Sequence, residues 1–256
     1  MMFRRTLASM LLVAPLAASA SESVKLDRLP ADINPHDMAS LQRGAQVYVN
    51  YCQGCHSLAY MRYNRLQDLG LTEQQIKDNL IFTGVKVGEL MKIAMDPRES
   101  REWFGTPPPD LTVIARSRSS GDGSGADWLY TYLRGFYRDP SRPTGWNNTV
   151  FPNVGMPHAL WQLQGEQVLA TEGQSIPRGS KGEVASDAQK LVLKKPGSMK
   201  PAEYDRRVGD LVNFLVYVGE PSRQARVELG IYVLIFLSVL LVFAYLLKKE
   251  FWKDVH

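Results

Sequence analysis

From Leu229 to Leu247 the chain runs through Leu-Gly-Ile-Tyr-Val-Leu-Ile-Phe-Leu-Ser-Val-Leu-Leu-Val-Phe-Ala-Tyr-Leu-Leu without one charged residue. A helix over this stretch rises about 1.5 Å per residue, so it spans about 28 Å, close to the hydrocarbon thickness of a bilayer. A helix of a soluble core usually keeps polar residues along one side. Lys248, Lys249 and Lys253 follow directly, with Trp252 as an interfacial anchor. The positive-inside rule assigns that end to the cytoplasm, although Arg223 and Arg226 flank the other end.

The N-terminus supplies the second constraint. Met-Met-Phe-Arg-Arg opens the chain, Thr6 to Ala20 is mostly Leu, Ala and Val, and the run closes on Ala18-Ser19-Ala20. A charged start, a short apolar run and a small-x-small end describe a secretory signal peptide cut after Ala20. Pro15 and the shortness of the run argue against an uncleaved anchor. The expected layout is therefore a signal peptide over 1–20, an exported domain over 21–228, a transmembrane helix over 229–247 and a cytoplasmic tail over 248–256. In a bacterium this is a single-pass protein of the inner membrane with its large domain in the periplasm.

The net charge of +4 does not change that picture. Of 30 basic residues, two lie in the leader and three in the tail; of 26 acidic residues, two lie in the tail. The exported stretch that remains is nearly neutral, which gives no support to nucleic-acid binding.

Within the exported domain, the pattern predicts a helix opening at Asp37 as N-cap. Gly44, Tyr48 and Cys52 recur at intervals of four and share one of its faces. Further helices are expected over Thr72–Phe82, Val87–Met95 and Asp127–Tyr137. Turn-formers dominate the rest of Asp96–Trp146, and residues 145–158 read as a loop. Gln167–Ala170 and Lys190–Leu193 read as short strands. The last soluble helix is expected from Pro201 to Gly219, where Val208, Leu211, Val212, Leu215 and Val218 follow a 3.6-residue period. No internal repeat is visible.

The first helix runs into Cys52-Gln53-Gly54-Cys55-His56, which contains both cysteines of the chain. On a helical turn, cysteines three apart point to one side, where two thiols can add to the vinyl groups of a haem. The adjacent histidine then brings an imidazole nitrogen to the iron. A thioredoxin-like dithiol would follow a strand in a βαβ unit, and a structural zinc site needs four protein ligands. Neither fits. Export supplies the compartment in which c-type haems are attached. The reading is one covalently bound haem c held through Cys52, Cys55 and His56.

Candidates for the sixth iron ligand are Met38, Met61, Met91, Met95, Met156, Met199, His36 and His158. Met61 follows His56 too closely to cross a haem easily, and Met91 and Met95 at i, i+4 read as core packing. Met199 precedes the last helix. Met156 lies in Phe151-Pro-Asn-Val-Gly-Met-Pro-His158, where prolines can hold a thioether still and Gly155 permits close approach. On residues alone Met156 stands somewhat ahead of Met199 and His158. A His/Met pair makes the iron six-coordinate and raises its reduction potential, which favours electron transfer over peroxidase-like chemistry.

Several further motifs carry a family resemblance. They are Pro108-Pro109-Asp110-Leu111, Ile114-Ala115-Arg116-Ser117-Arg118 and Asn153-Val154-Gly155-Met156-Pro157, together with Asp210-Leu-Val-Asn-Phe-Leu and the single C-terminal anchor with its Lys-Lys end. With these the chain resembles the cytochrome c1 family, the haem-bearing subunits of cytochrome bc1 (ubiquinol–cytochrome c reductase) complexes. The resemblance covers nearly all of the chain after the leader. It implies a mainly α fold: a class I c-type cytochrome-like domain with extended loops, plus one C-terminal transmembrane helix. It also implies Met156 as sixth ligand, Pro109 packed near the haem, Arg118 on a haem propionate and Trp128 as an aromatic neighbour of the haem. The partners implied are cytochrome b, the Rieske iron–sulfur protein as electron donor, a cytochrome c acceptor and membrane lipid. Catalysis would belong to the complex and not to this chain alone. The rival reading is a membrane-tethered electron shuttle outside any bc1 complex. Some bacterial relatives carry an extra disulfide. This chain cannot, so packing and prolines are expected to hold its ligand loop.

Overall fold

A computed structural model describes residues 25–31, 33–34, 36–170 and 191–254 of the 256. The signal-peptide expectation for residues 1–20 lies outside the described residues, as does Lys190 of the second expected strand.

The framework is a crossing of two helices far apart in sequence. Helix α1 spans Met38–Val47, and Asp37 caps it by accepting from the backbone N–H of Ala39 and Ser40. The helix then widens into a π-helical turn over Tyr48–Cys52. Helix α7 spans Pro201–Gly219, with Pro at its first position. The two approach so closely that a Cβ on Gly44 would lie 2.1 Å from the Asp210 carbonyl oxygen. Only glycine permits that approach. Beside it the Tyr48 and Phe214 rings stand 5.9 Å apart. Around the same crossing, Asp210 is buried and bonded to Arg43 Nε at 2.7 Å and Ser40 Oγ at 2.7 Å. Leu41, Ala45, Val208, Leu211, Val212 and Leu215 complete the apolar seam. Burial of each large side chain there is worth about 1.5–3 kcal/mol.

Short elements fill the space between. Strand β1 (Leu58–Arg62) leads into a 3₁₀ stretch over Tyr63–Leu69 and then helix α2 (Glu73–Leu80), closed at its start by a Thr72–Gln75 capping box. Strand β2 is Leu90–Met91, antiparallel to β1 with Leu58 opposite Met91. The helix expected over Val87–Met95 is therefore absent. Tyr63 N–H donates to Glu89 O and Asn64 N–H to Val87 O, so this segment is spent on pairing with β1 and with the first residues of the 3₁₀ stretch after it. Met91 is fully buried, but as part of a strand.

Helix α3 (Pro97–Phe104) replaces part of the expected turn region. Asp96 accepts from Arg98 N–H, Pro97 opens the helix, and Gly105 ends it in the left-handed region at φ 78°. Helix α4 is Ile114–Ser117 and helix α5 is Gly125–Arg134. The aromatic helix thus stops three residues short of Tyr137. Phe136–Arg138 instead forms β3, antiparallel to β4 (Trp146–Asn148), at the start of what reads in sequence as a loop. Helix α6 (Trp161–Gln164) precedes an antiparallel pair of β5 (Gly165–Leu169) and β6 (Leu191–Pro196), in line with both expected short strands.

Arg134 ties the parts together. It bonds Asp27 at 3.0 Å and Asp205 at 2.7 Å, with its guanidinium 4.4 Å from the Tyr130 ring centre. Helix α8 then runs Arg223–Phe251. Within it Ala225–Phe251 is long and apolar enough to cross a membrane, and its apolar side chains are exposed all round. It is the one such helix among the described residues. An all-apolar surface of this kind needs lipid or another protein around it.

Candidate functional site

The π-helical turn delivers Cys52 to the end of α1, and the backbone then tightens. Cys55 N–H and His56 N–H both donate to the Cys52 carbonyl, at 3.0 and 2.9 Å. Cys52 and Cys55 are free thiols. Burial, with Cys55 nearby, pushes the Cys52 thiol up to about 12, so it stays protonated. Tyr48 Oη donates to the His56 carbonyl at 2.6 Å, which clamps the motif onto the helix that precedes it.

His56 is buried, and its Nδ1 lies 2.7 Å from the Pro109 carbonyl oxygen. A carbonyl only accepts, so Nδ1 carries the proton and Nε2 keeps its lone pair. Burial also moves the imidazole pKa down, which favours this neutral form. An oriented, neutral imidazole with a fixed tautomer is the form that ligates metal. The contribution of Pro109 is thus its backbone carbonyl. Asp110 secures that segment, accepting from Ala59 N–H at 2.7 Å and Thr112 N–H at 2.8 Å. Leu111 N–H adds a bond to Ser57 O at 2.9 Å.

A second constellation gathers around Met156. Arg118 places its guanidinium 4.6 Å from the Trp128 ring centre and 5.9 Å from that of Phe151. Trp128 stacks on Tyr132 at 4.8 Å with 12° between the planes. Tyr132 Oη donates to Met156 Sδ at 3.4 Å. Arg118, Trp128 and Met156 are therefore linked in one chain of contacts. Tyr132, the link between them, has no counterpart among the residues singled out in the sequence. Its i, i+4 spacing from Trp128 on α5 is the signal that could have found it.

The other candidate sixth ligands have different surroundings. Met61 and Met91 are fully buried, and Met38 is exposed. Met199 is partly buried against the core. The His158 ring lies flat on Phe136 at 4.7 Å and edge-on to Trp146 at 5.0 Å. Burial brings its pKa down to about 4, and its Nε2 has no partner.

Comparison with known proteins bears on the family of the chain. The Cytochrome C1 family profile matches residues 31–255. The chain belongs to the cytochrome c1 family. A cytochrome c1 from Allochromatium vinosum is 49% identical over 254 residues, covering 98% of each chain. A protein of Nitrosomonas europaea named ammonia monooxygenase gamma subunit is 50% identical over 247 residues, covering 96% of each. The cytochrome c1 of Rhodospirillum rubrum is 28% identical over 246 residues, 86% of this chain and 83% of that one. Members of the cytochrome c1 family are haem-bearing electron carriers with a membrane-anchor helix, and the mainly helical domain followed by α8 matches that architecture.

The donor set fits the covalent haem c that cytochrome c1 membership implies. Two unpaired thiols lie three residues apart, an imidazole presents the lone pair of Nε2, and a thioether lies in a separate loop. Thiols, imidazole and thioether are the groups that c-type haem ligation uses.

Proposed function

We propose that this chain carries one haem c bound through Cys52 and Cys55, with His56 and Met156 as its axial ligands. We further propose that it relays single electrons from a Rieske iron–sulfur protein to a cytochrome c within a ubiquinol–cytochrome c reductase. The observation that carries the reading is the His56–Pro109 bond, because it leaves His56 Nε2 as a fixed, neutral donor beside two free thiols. A haem held there supplies the one-electron couple. The protein's part is to hold and shield it. Pro109 and Asp110 orient the imidazole, Tyr132 orients the thioether, and the α1–α7 seam keeps water from the attachment side.

In the same reading residues 1–20 are a cleaved leader, residues 21–228 are periplasmic, and α8 crosses the inner membrane beside cytochrome b with its lysine-rich end in the cytoplasm. Arg118 would reach a haem propionate, with Trp128 as an aromatic neighbour. His56 and Met156 would both be engaged in holding the haem, so quinol oxidation would belong to the complex.

The Nitrosomonas relative supports a second reading. A protein 50% identical over nearly the whole chain bears the name of a monooxygenase subunit. A membrane-tethered carrier that serves a complex other than bc1 is the alternative. Purification of the chain from its native membrane in mild detergent decides between them. Co-purification of cytochrome b and a Rieske protein is the expected result. Recovery without either would overturn the bc1 assignment. Met156→Leu checks the ligand separately: the near-infrared sulfur-to-iron band is expected in the parent and absent in the variant. A parent without that band would exclude Met156.

A further inference from the structure

We propose that Asn147 and Asn148, with Arg142 acting on Asn153, form an amide clasp that positions the Met156 loop; this rests on the reading of Met156 as an axial ligand. The loop leaves β4 at Asn148 and reaches Met156 without regular structure. Both cysteines are taken by the attachment motif, so no disulfide can close it. Side-chain amides close it instead.

Asn147 Oδ1 accepts from the backbone N–H of Asn148 at 2.9 Å and of Asn153 at 2.8 Å. The second bond shuts a ring of backbone from 147 to 153. Asn147 Nδ2 donates to Asp139 Oδ2 at 2.8 Å, fixing that ring to the turn after β3. Asn148 Oδ1 accepts from Val150 N–H at 2.8 Å and Phe151 N–H at 3.2 Å. Its Nδ2 donates to the Tyr132 carbonyl at 2.8 Å. Both amides are buried, and both use donor and acceptor ends.

Arg142 then grips the far side of the ring. Its two terminal nitrogens donate to Asn153 Oδ1 at 3.0 Å and Asn153 O at 3.1 Å. Its Nε is buried without a partner, so the guanidinium is set by this grip at the expense of one unmade bond. Asn153 is the one non-glycine at positive φ among the described residues, at 63°. Asparagine is among the few residues that enter this region readily. Two residues on, a Cβ at Gly155 would lie 2.6 Å from the Phe104 carbonyl oxygen, so the chain is pressed onto the end of α3 just before Met156.

The clasp and the thioether meet on one residue. Asn148 holds the carbonyl of Tyr132, and the hydroxyl of Tyr132 holds Met156 Sδ. Rotation of the loop would break both bonds together. The amides would therefore act on a haem iron through Tyr132 and the position of the sulfur.

The test uses the full-length haem-loaded protein in detergent. Asn148→Asp keeps the shape but sets a carboxylate oxygen against the Tyr132 carbonyl. Arg142→Gln removes the grip on Asn153 from a partly exposed side chain. Both are expected to keep their haem, to weaken the sulfur-to-iron band, to lower the reduction potential and to bind carbon monoxide at least about tenfold more tightly than the parent. Asn153→Gly, which keeps the backbone conformation, is expected to disturb these readouts less than Asn153→Ala. The proposal is overturned if both variants keep a full band and a carbon monoxide affinity within twofold of the parent. It is equally overturned if both lose haem while the remaining fraction keeps a full band, because the amides would then be structural only. A parent that lacks the band would instead remove the Met156 assignment itself.

Discussion

The attachment turn and the Met156 loop hold their donor groups by opposite means. Cys52, Cys55 and His56 belong to five consecutive residues; backbone bonds to the Cys52 carbonyl set their turn, and one long-range bond, to the Pro109 carbonyl, orients the imidazole. Met156 is set by side chains from α5, β4 and the β3–β4 turn, none of them adjacent to it in sequence. The first site is as stable as the helix crossing beneath it. The second is as stable as a handful of hydrogen bonds, each worth about 1 kcal/mol net. Disturbance of the first should therefore cost the fold, and disturbance of the second should change the iron's surroundings while the fold persists.

The largest effect is expected at the crossing. Gly44→Val places a side chain where 2.1 Å separates Cβ from the Asp210 carbonyl and 2.6 Å from Phe214 Cβ. Backbone cannot yield as a flexible side chain can, so α1 and α7 must separate. The cost is expected to be about 4 kcal/mol or more, in the range reserved for severe core damage. Urea denaturation of the haem-loaded protein would show it. A midpoint close to that of the parent would mean that the crossing does not govern the attachment side.

The contrast also explains what the sequence made legible. The Asp37 cap, the α7 periodicity and the apolar span of α8 are local patterns, and each is present where it was expected. Val87–Met95 was misread because its apolar residues suit a helix until β1 offers a partner, and pairing across the chain outweighs a weak local preference. The helix at Pro97–Phe104 had legible signals, Asp96 as cap and Pro97 at the first position, but prolines and glycines around it read as turns. The bond from Tyr132 to Met156 and the roles of Asn147 and Asn148 are illegible for a different reason. Their partners lie up to 24 residues away, as in the Tyr132–Met156 bond, and no period links an amide to a backbone N–H across a loop. The sequence suggested that prolines and packing hold this loop; the structure adds amide hydrogen bonds that composition alone does not reveal.

A smaller effect is expected at Tyr132. Tyr132→Phe removes the hydroxyl from Met156 Sδ but keeps the stack on Trp128 at 4.8 Å and the edge contact with Phe136 at 5.1 Å. The stability cost should be about 1 kcal/mol. The sulfur-to-iron band should shift or broaden while haem content stays that of the parent. An unchanged band would show that the loop alone fixes the thioether.

The smallest effect concerns acid, and it separates the two regions most cleanly. Hydrogen bonds from the Ser141 side chain and then from Asn147 hold the Asp139 carboxyl below its ordinary pKa, with help from the Ser141 backbone and the Arg142 charge. Its folded pKa is depressed, so folding gains from the ionised form. That gain is complete above the ordinary carboxylate range near 4 and is lost as pH falls through the lower folded value. Asp139 is partly exposed, so the contribution is modest and screened by salt. Protonation leaves Asn147 Nδ2 facing a weaker acceptor and loosens one anchor of the Met156 loop. The thioether bonds proposed at Cys52 and Cys55 would not titrate. As pH falls below about 4 the sulfur-to-iron band should therefore weaken before covalent haem is lost. Asp139→Asn should show less of this pH dependence than the parent. If the variant and the parent lose the band along the same curve, Asp139 plays no part in the acid response of the loop.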